Sequence, residues 1–534
     1  MTRTLLTNGY IHTPGDPGAT AMLIEDGRIS WIGHEGAALA HKDGVDTEVD
    51  LHGALVTPAF VDGHCHVTAT GIGLTGLDLS KCHGREELLA ALQARSWPSD
   101  LILFGHGWEE THWSDQQLPS LSELDAATGD VPVFLTRVDL HSSLVNSAML
   151  ARLPQEVTAA GAAGHLDGHA HHMARGLIYD LIGPEQRELL VRRALHEWAA
   201  QGVALVTEMA GPEISSWQDA RYLADLDDPG LPELALYWGE IHGVARAQQL
   251  GAVGAGGDLF ADGSIGSATA SLCQPYAEGS QPGTGNAYLD TETVAAHVEA
   301  CTRAGIQAGF HAIGDAAIEQ VAAGLAAAAD VLGVSAVRRA RHRIEHLEMV
   351  SADLVPDLAH LGVTASMQPA FDELWGGTGE LYEQRLGRQR AATMNPFAAL
   401  AGAGVPLAFG SDSPVTAIDP WGGVAAAVHH HNPASGLAAR AAFNAHTRGG
   451  WRAVGRDDAG VLAAGAPATL AIWDCEALAV QEADERVSRW STDPRSGTPM
   501  LPLLTAQGSR PTCLATLRHG RTIYTDGRIL ETSV

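Results

Sequence analysis

Two histidines follow the first strongly apolar run of the chain and are separated by one residue, in the stretch FVDGHCH at 60–66. Side chains at alternate positions of a strand point to the same face, so His64 and His66 can reach one metal ion while Cys65 faces away. Imidazole nitrogen is a good ligand for zinc and similar metals. By itself, one HxH pair is weak evidence for metal binding in a chain with 26 histidines. Its place at the end of an apolar strand is what favours metal binding.

Four later segments repeat this design, because each carries a polar residue of ligand type just after an apolar run. They are TEM at 207–209, GFHAIGD at 309–315, RIEH at 343–346 and GSDSP at 410–414. The candidate ligands that they add are Glu208, His311, His346 and Asp412. In the RIEH segment, Arg343 and Glu345 are expected to form a buried ion pair that orients their neighbours.

Short apolar strands alternate with alanine-rich helical stretches through the middle of the chain, which predicts repeated βα units. Predicted helices include Glu185–Gln201, Thr291–Ala304 and Asp315–Leu332. The eight candidate strands are Leu55–Val61, Val131–Arg137, Ala204–Thr207, Asp258–Ala261, Gln307–Phe310, Arg343–Glu345, Val363–Ser366 and Pro406–Phe409. The pattern predicts an α/β fold, a (β/α)8 TIM barrel. Because a barrel gathers the C-terminal ends of its strands on one face, the candidate ligands should converge there. Nitrogen and oxygen ligands of this kind suit Zn²⁺, Mn²⁺ or Fe²⁺.

The two ends of the chain lack the βα alternation of the middle and instead show short β-type runs separated by turns such as Asn8-Gly9 and Asp26-Gly27. This predicts one small β-sandwich domain built from both termini, residues 1–57 and 460–534, around a barrel at 58–459. The barrel is longer than is typical, and the surplus places an insertion within about 70–200. Such an insertion usually shapes or closes a site at the barrel mouth.

Composition excludes several classes of partner. The formal net charge is −30, which argues against nucleic acid and anionic membranes. The chain has no apolar run of about eighteen residues that would predict a membrane span. Its start does not resemble a signal peptide, and its six cysteines are scattered without a CxxC pair, so we expect reduced thiols in a cytoplasmic protein. A small-molecule substrate is the expected partner, and the sequence leaves homo-oligomerisation open.

Taken together, TPAFVDGHCHV, GFHAIGDAAI, RIEH and GSDSPV, in this order, resemble the signature of the amidohydrolase superfamily. DLFADGSIGSATASL and AGVLAAGAPATLAIWD are similar, more narrowly, to the subgroup that contains N-substituted formamide deformylase and the YtcJ-like hydrolases, amidohydrolase family 3. The resemblance covers nearly the whole chain, and the set of motifs is highly specific.

The resemblance implies a role for each matching residue. His64 and His66 match the metal-binding pair of the first strand, and His311 and His346 match the ligands after the fifth and sixth strands. Asp412 matches a metal ligand that also takes the proton from the nucleophilic water, a role that suits a carboxylate beside a metal. His346 is counted with Asp412 among the catalytic residues, and so is His141, which is expected to contact an oxygen of the substrate. The cofactor implied is a divalent metal, zinc before others, with one or two ions per chain.

One position departs from the family pattern. Many members carry a lysine at the start of the fourth strand, carboxylated so that it bridges two metals, but here that place is held by Asp258 and no lysine follows Lys81. A carbamate bridge is therefore impossible. The replacement is either Glu208 or Asp258, and we expect Glu208, which is longer and directly follows its strand, whereas Asp258 begins one.

These features predict a metal-dependent hydrolase that cleaves an amide or another non-peptide C–N bond of a small molecule with an activated water. Hydrolysis of an ester or a cyclic imide on the same site is the alternative within enzymes. A non-catalytic ligand-binding barrel is the alternative outside them. Only the missing lysine supports a non-catalytic barrel, and the presence of all the histidine and aspartate residues of ligand type argues against it.

Overall fold

The computed structural model describes the chain apart from residues 1, 95–97, 99–100, 111–112, 114–116, 138–141, 213, 278–282, 482–489, 492–497, 507 and 531–534. The chain divides into two compact units. The first comprises residues 1–65, 196–210 and 224–534, and the second comprises residues 66–195 and 211–223.

Eight parallel strands in sequence order form the central sheet of the first unit. The first and last strands approach each other through a parallel bridge between Cys65 and Ser413, and the backbone N–H of Asp412 donates to the carbonyl of His64 at 2.8 Å. The sheet thus closes into a TIM barrel. Strands 1 to 8 are Phe60–Cys65, Val203–Ala210, Glu233–Trp238, Gly254–Ala255, Gln307–Ala312, Arg343–His346, Thr364–Met367 and Leu407–Phe409.

The predicted fold class is confirmed, but three of the eight predicted strands differ from the structure. Leu55–Val61 mostly coincides with the sandwich strand Leu55–Pro58, and barrel strand 1 begins only at Phe60. Val131–Arg137 overlaps Val133–Arg137, which lies in a different sheet, and strand 3 is instead Glu233–Trp238. Asp258–Ala261 is irregular, because strand 4 ends earlier, at Ala255. An apolar run shows that a strand is buried in a sheet, but it does not show which sheet.

The barrel helices begin and end at the residues that their local chemistry favours. Thr291–Ala304 starts after Asp290, whose carboxylate accepts the N–H of Thr293 at 2.7 Å, and stops at Gly305 in the left-handed conformation. This helix and Asp315–Leu332 match the prediction. The other helices after strand 5 are Val334–Ala340, Val355–Leu361, Pro369–Trp375, Leu381–Leu386, Arg388–Ala391, Phe397–Ala403, Pro420–Val428, Ala439–Asn444, the π-helical Ala445–Gly449, and Gly450–Ala453; Val244–Gln249 follows strand 3.

Strands from both chain ends form the small β-sandwich, as expected. Leu470–Asp474 pairs antiparallel with Leu55–Pro58, and the indole N–H of Trp473 donates to Oγ1 of Thr57 at 2.9 Å. Residues from both ends share one apolar core, which includes Leu6, Met22, Val56, Leu470 and Ile472. One sheet contains Arg3–Thr7, Ala21–Glu25, Arg28–Gly33 and Thr47–Asp50, and the other contains Tyr10–Ile11, Leu55–Pro58, Leu470–Asp474, Thr512–Arg518 and Arg521–Thr525. Short strands Leu478–Gln481, Trp490–Ser491 and Leu501–Pro502 form a further small sheet, and Glu35–Ala38 is a short helix.

The second unit has its own five-stranded sheet and its own apolar clusters. Within it, Arg187 forms a buried ion pair with Asp219, which also accepts a hydrogen bond from Oγ1 of Thr68 at 3.0 Å. Its strands are Leu77–Asp78, Leu103–Trp108, Val133–Arg137, Ser142–Val145 and His165–Asp167. Its helices include Val67–Thr75, Arg85–Gln93, Leu121–Thr128, Ser147–Leu150, Gln155–Ala160 and Gly168–Leu181, while Pro184–Ala200 and Trp217–Ala224 begin in this unit and extend out of it.

Among the helices that the structure describes, none has both the length and the apolar character needed to cross a bilayer.

Candidate metal centre

The C-terminal end of strand 1 positions the first candidate histidine ligand. His64 is fully buried, and the neighbouring Cys65 points to the other face of the strand, where its thiol donates to the carbonyl of Thr207 at 3.4 Å. His66 is the first residue beyond the strand, and its side chain is half-buried. The alternation expected from the HxH spacing is therefore present.

A buried ion pair under the centre fixes the proton of His64. Oε2 of Glu345 lies 2.9 Å from Nδ1 of His64. Burial raises the pKa of Glu345, but the Arg343 guanidinium outweighs it and holds this pKa at about 2. An ionised carboxylate can only accept, so Nδ1 of His64 donates to it and only Nε2 is left to bind a metal. The predicted pairing of Arg343 with Glu345 is thus found, and Arg343 also donates to Ser366 Oγ at 2.7 Å.

Hydrogen bonds set the other two buried histidines in the same way. Nδ1 of His346 lies 2.8 Å from Oε1 of Gln368, so the imidazole donates there and leaves Nε2 for a metal. Nε2 of His311 lies 3.2 Å from the carbonyl of Gly263, which leaves Nδ1 as its ligand atom. Each of the three imidazoles therefore has one ring nitrogen left that could bind a metal.

Asp258 lies among these three nitrogens. Its Oδ2 is 3.4 Å from Nε2 of His64, and its Oδ1 is 3.4 Å from Nδ1 of His311 and 3.5 Å from Nε2 of His346. The turn that brings it there depends on Gly256, which has φ 149° and on which a Cβ would lie 2.2 Å from the backbone nitrogen of Gly309. A side chain at Gly256 would therefore push the turn away from strand 5 and withdraw Asp258 from the centre.

Asp412 completes the set from the end of strand 8. Its Oδ1 lies 3.4 Å from Nε2 of His64, and its backbone has a φ of 55°, a conformation that L residues rarely adopt. The buried carboxylate of Asp62 holds the preceding residue, because it accepts from the backbone N–H of Ser411 at 2.9 Å and from its hydroxyl at 2.6 Å. The indole of Trp198 donates to the same carboxylate at 2.8 Å.

The donor set fits a divalent metal. Ligand atoms lie within 4.8 Å of one another in two groups, one of His64, Asp258 and His346 and one of His64, His66 and Asp412. Burial opposes a charge on His64, yet the carboxylates of Asp258 and Asp412 raise its pKa well above its usual value, so the centre attracts positive charge. Imidazole and carboxylate ligands together suit Zn²⁺, Mn²⁺ or Fe²⁺.

The structure brings together most of the residues that the sequence singled out. Glu208 is buried in strand 2, and among the described residues neither it nor His311 belongs to a group of three that could hold a metal, although Nδ1 of His311 lies 3.4 Å from Oδ1 of Asp258. Asp258, expected at the beginning of a strand, instead follows strand 4. His141 lies outside the described residues, and its substrate contact stays a prediction. Gln368 was missed, although it follows strand 7 directly and the strand-end criterion would have found it.

A third group of possible ligands lies on the helix after strand 7 and the loop near 430. Nε2 of His430 and Nδ1 of His431 lie 3.1 and 2.5 Å from Oδ1 of Asp372. Nδ1 of His430 already accepts the backbone N–H of Asn432 at 2.9 Å, so its Nε2 carries the proton and cannot bind a metal. Asp372 with these two histidines is therefore a hydrogen-bonded network that joins the two segments.

A TIM barrel that gathers histidine and aspartate side chains at the C-terminal ends of its strands is an arrangement that suits metal-dependent hydrolysis. The amidohydrolase family model matches residues 47–524, and the chain belongs to that family. Within it, the chain is 27% identical over 463 residues to the amidohydrolase YtcJ of Bacillus subtilis, covering 79% of this chain and 82% of YtcJ.

Two further proteins are similar to the chain. The N-substituted formamide deformylase of Arthrobacter pascens is 30% identical over 141 residues, a quarter (25%) of each chain. A crystal structure of a metal-dependent hydrolase from Pyrococcus horikoshii superposes with a TM-score of 0.74 at 26% identity, covering 89% of this chain and 98% of the other.

Proposed function

We propose that this hydrolase cleaves an amide or another non-peptide C–N bond of a small molecule, with water as the nucleophile and zinc as the resident metal. The observation that carries the proposal is the position of Asp412, whose Oδ1 lies 3.4 Å from the ligand nitrogen of His64. A carboxylate there lies close enough both to bind a metal and to exchange a proton with a water at the same centre.

The ligands proposed for the metal are His64, His66, His311, His346, Asp258 and Asp412. When bound, a divalent metal in such a site supplies Lewis acidity and lowers the pKa of a water molecule to about 7.

The proton chemistry belongs to the chain itself. Asp412 accepts a proton from the attacking water and returns it to the leaving nitrogen, which would otherwise depart as an unstable amide anion. Glu345 and Gln368 hold the imidazoles of His64 and His346 in the tautomers that face the metal, so the ligands need no rearrangement.

Similarity to the N-substituted formamide deformylase supports an amide as the substrate, because that enzyme is named for the removal of an N-formyl group. Esters and cyclic imides are hydrolysed through the same kind of attack on a carbonyl carbon, so they remain competing substrates. A non-catalytic barrel is disfavoured because a ligand-binding pocket has no need for several buried histidines with fixed tautomers and an aspartate beside them.

The test is a substrate panel assayed with zinc-loaded protein and with the Asp412→Asn variant as the matched control. The panel contains N-formyl amines, other N-acyl amines, the corresponding esters and cyclic imides. We expect hydrolysis of at least one amide class that the variant loses. Hydrolysis of esters or cyclic imides but of no amide would favour the alternative substrates. If no substrate is hydrolysed in a way that depends on Asp412, the proposed hydrolase function is rejected.

A further inference from the structure

We propose that the side-chain amide of Gln368 donates a hydrogen bond to the carbonyl oxygen of the bound substrate. The inference rests on the proposed function, because it takes the substrate to be an amide, an ester or a cyclic imide held at the barrel mouth. It goes beyond the support that Gln368 gives to His346, since it assigns the other end of the same side chain to the substrate.

The side chain of Gln368 points into the barrel. Arg343 lies in the barrel interior, because its guanidinium lies over the ring of Tyr237 at 4.6 Å and donates to the carbonyl of Gly63 at 2.7 Å. The same guanidinium donates to Oγ of Ser366 at 2.7 Å, so this side chain of strand 7 also faces inward. Gln368 lies two residues further along, with a backbone that is still extended, and therefore points to the same side. It is one layer closer to the C-terminal end of the barrel, where active sites of this fold lie.

A hydrogen bond to His346 fixes which end of the amide faces which neighbour. Nδ1 of His346 lies 2.8 Å from Oε1 of Gln368, and it is the donor when Nε2 of the same imidazole binds a metal. The oxygen of the amide is therefore used by His346. The two N–H groups on Nε2 of Gln368 are left to face another acceptor.

No acceptor for these N–H groups lies within hydrogen-bonding distance among the residues that the structure describes. Gln368 is only 2% exposed, and its Nε2 is buried and unpartnered there. The neighbouring Phe371 uses its backbone N–H to bind the carbonyl of Gln368 at 3.0 Å, and its ring stacks on His346 with centroids 5.9 Å apart. Buried side-chain donors nearly always have a partner, so this one indicates an acceptor that comes from outside the chain.

A substrate carbonyl oxygen is the acceptor that suits this position. Amides, esters and cyclic imides all carry one, and it becomes an oxyanion when water adds to the carbonyl carbon. A preorganised N–H donor at such an oxygen stabilises the transition state, and its loss typically lowers turnover by about 10²–10³. Because the amide of Gln368 is neutral and does not titrate, it can stabilise the negative charge without protonating the oxygen.

Two variants separate a contact with the substrate from support of His346. Gln368→Glu keeps an oxygen that can accept from Nδ1 of His346, but as a carboxylate it has no N–H to donate. Gln368→Met is uncharged and of similar length, and it lacks both functions. Gln307→Met is the matched control, because Gln307 is also buried on a barrel strand. Both ends of its amide are already bound within the protein, by the hydroxyl of Tyr237 and the carbonyl of Ala453.

The full-length wild type and the three variants are loaded with Zn²⁺, and metal per chain is counted by inductively coupled plasma mass spectrometry. Methylphosphonate, whose tetrahedral anion resembles the oxyanion intermediate, is then titrated into each protein by isothermal titration calorimetry. Turnover of the best panel substrate is measured on the same samples, and circular dichroism checks that they are folded.

We expect Gln368→Glu to keep its metal and to bind methylphosphonate about 10–100-fold more weakly than the wild type, the usual effect of losing a hydrogen bond to a charged group. Its kcat should fall by about 10²–10³ with little change in KM. Gln368→Met should also bind the probe weakly, whereas Gln307→Met should bind it like the wild type. If Gln368→Met loses its metal or does not fold, Gln368→Glu decides alone.

Wild-type affinity for the probe in metal-loaded Gln368→Met would overturn the proposal, as would normal turnover in Gln368→Glu or an equal loss of affinity in Gln307→Met. A wild type that does not bind methylphosphonate would also overturn it, because the probe offers the kind of oxygen that the amide is proposed to bind. The proposed function can fail separately, since probe binding needs no turnover. Binding that depends on Gln368, without hydrolysis of any panel substrate, would reject the function and leave the contact standing.

Discussion

Glu345 accepts a hydrogen bond from His64 at 2.9 Å and is itself held ionised by Arg343. The three residues belong to strands 1 and 6, so two distant segments of the chain together orient one candidate metal ligand. The charge of Glu345, which is not itself a candidate ligand, should therefore affect the affinity for the metal.

Glu345→Gln keeps an oxygen near His64 but removes the negative charge that fixes its tautomer and neutralises Arg343. Residues that support metal ligands typically contribute 10–100-fold to affinity, so we expect the dissociation constant for Zn²⁺ to rise by about that factor. Competition with a chromophoric chelator measures it. Glu48→Gln, which changes an exposed carboxylate that pairs with Lys42 in the sandwich, is the control and should leave the constant unchanged.

Asp412→Asn conserves size while removing the ability to take a proton. We expect turnover on whichever substrate the panel identifies to fall by about 10²–10⁴, the usual effect of losing a general base. Metal content should be measured on the same sample, because the side-chain amide oxygen can still bind the metal. A variant with full metal and near-normal turnover would remove Asp412 from the mechanism.

The candidate ligands could be picked out from the sequence because the constraint on them is local. A strand end followed by HxH or by GFHA is visible in the sequence, and the barrel brings such ends together. The position of Asp258 was not predictable, because it depends on a turn at Gly256 that packs against the backbone of strand 5. The identity of strand 3 was also missed, since Val133–Arg137 and Glu233–Trp238 are both short buried strands whose sheets differ only in tertiary pairing.

His342 makes the stability of the barrel sensitive to acid. Burial and the nearby His297 lower its pKa from 6.5 to about 4, and its Nδ1 accepts the backbone N–H of Ala308 at 2.8 Å. Below pH 6.5 the imidazole of His342 binds a proton in the unfolded chain, whereas in the folded chain it does so only when the pH falls to about 4. The contribution of neutral His342 to the free energy of unfolding is therefore complete above the pKa of the unfolded chain. It is lost, by up to about 3 kcal/mol, as the pH falls towards the pKa of the folded chain.

His342→Asn should flatten this dependence, because the amide oxygen can accept the same hydrogen bond and does not titrate. Denaturant unfolding followed by tryptophan fluorescence at several pH values between 7 and 4 gives the comparison. Identical pH dependence of the wild type and the variant would show that His342 is not the group responsible.

Deleting residues 468–534 should prevent folding of the sandwich. The truncation removes the strand that pairs with Leu55–Pro58 and exposes the core that Leu6, Met22 and Val56 share with the C-terminal strands. We expect insoluble protein, measured as the soluble fraction after expression. A soluble, active truncated chain would mean that residues 4–60 fold without their C-terminal partners.

Metal removal and return tests the central claim most directly. Hydrolysis of the best panel substrate is measured before dialysis against a chelator, after it, and after stoichiometric Zn²⁺ is restored. We predict that activity falls with the metal content and returns with it, while the His64→Ala variant, which lacks a ligand, does not recover. Undiminished hydrolysis by protein shown to be free of metal would contradict the assignment of this site as a metal-dependent hydrolase centre.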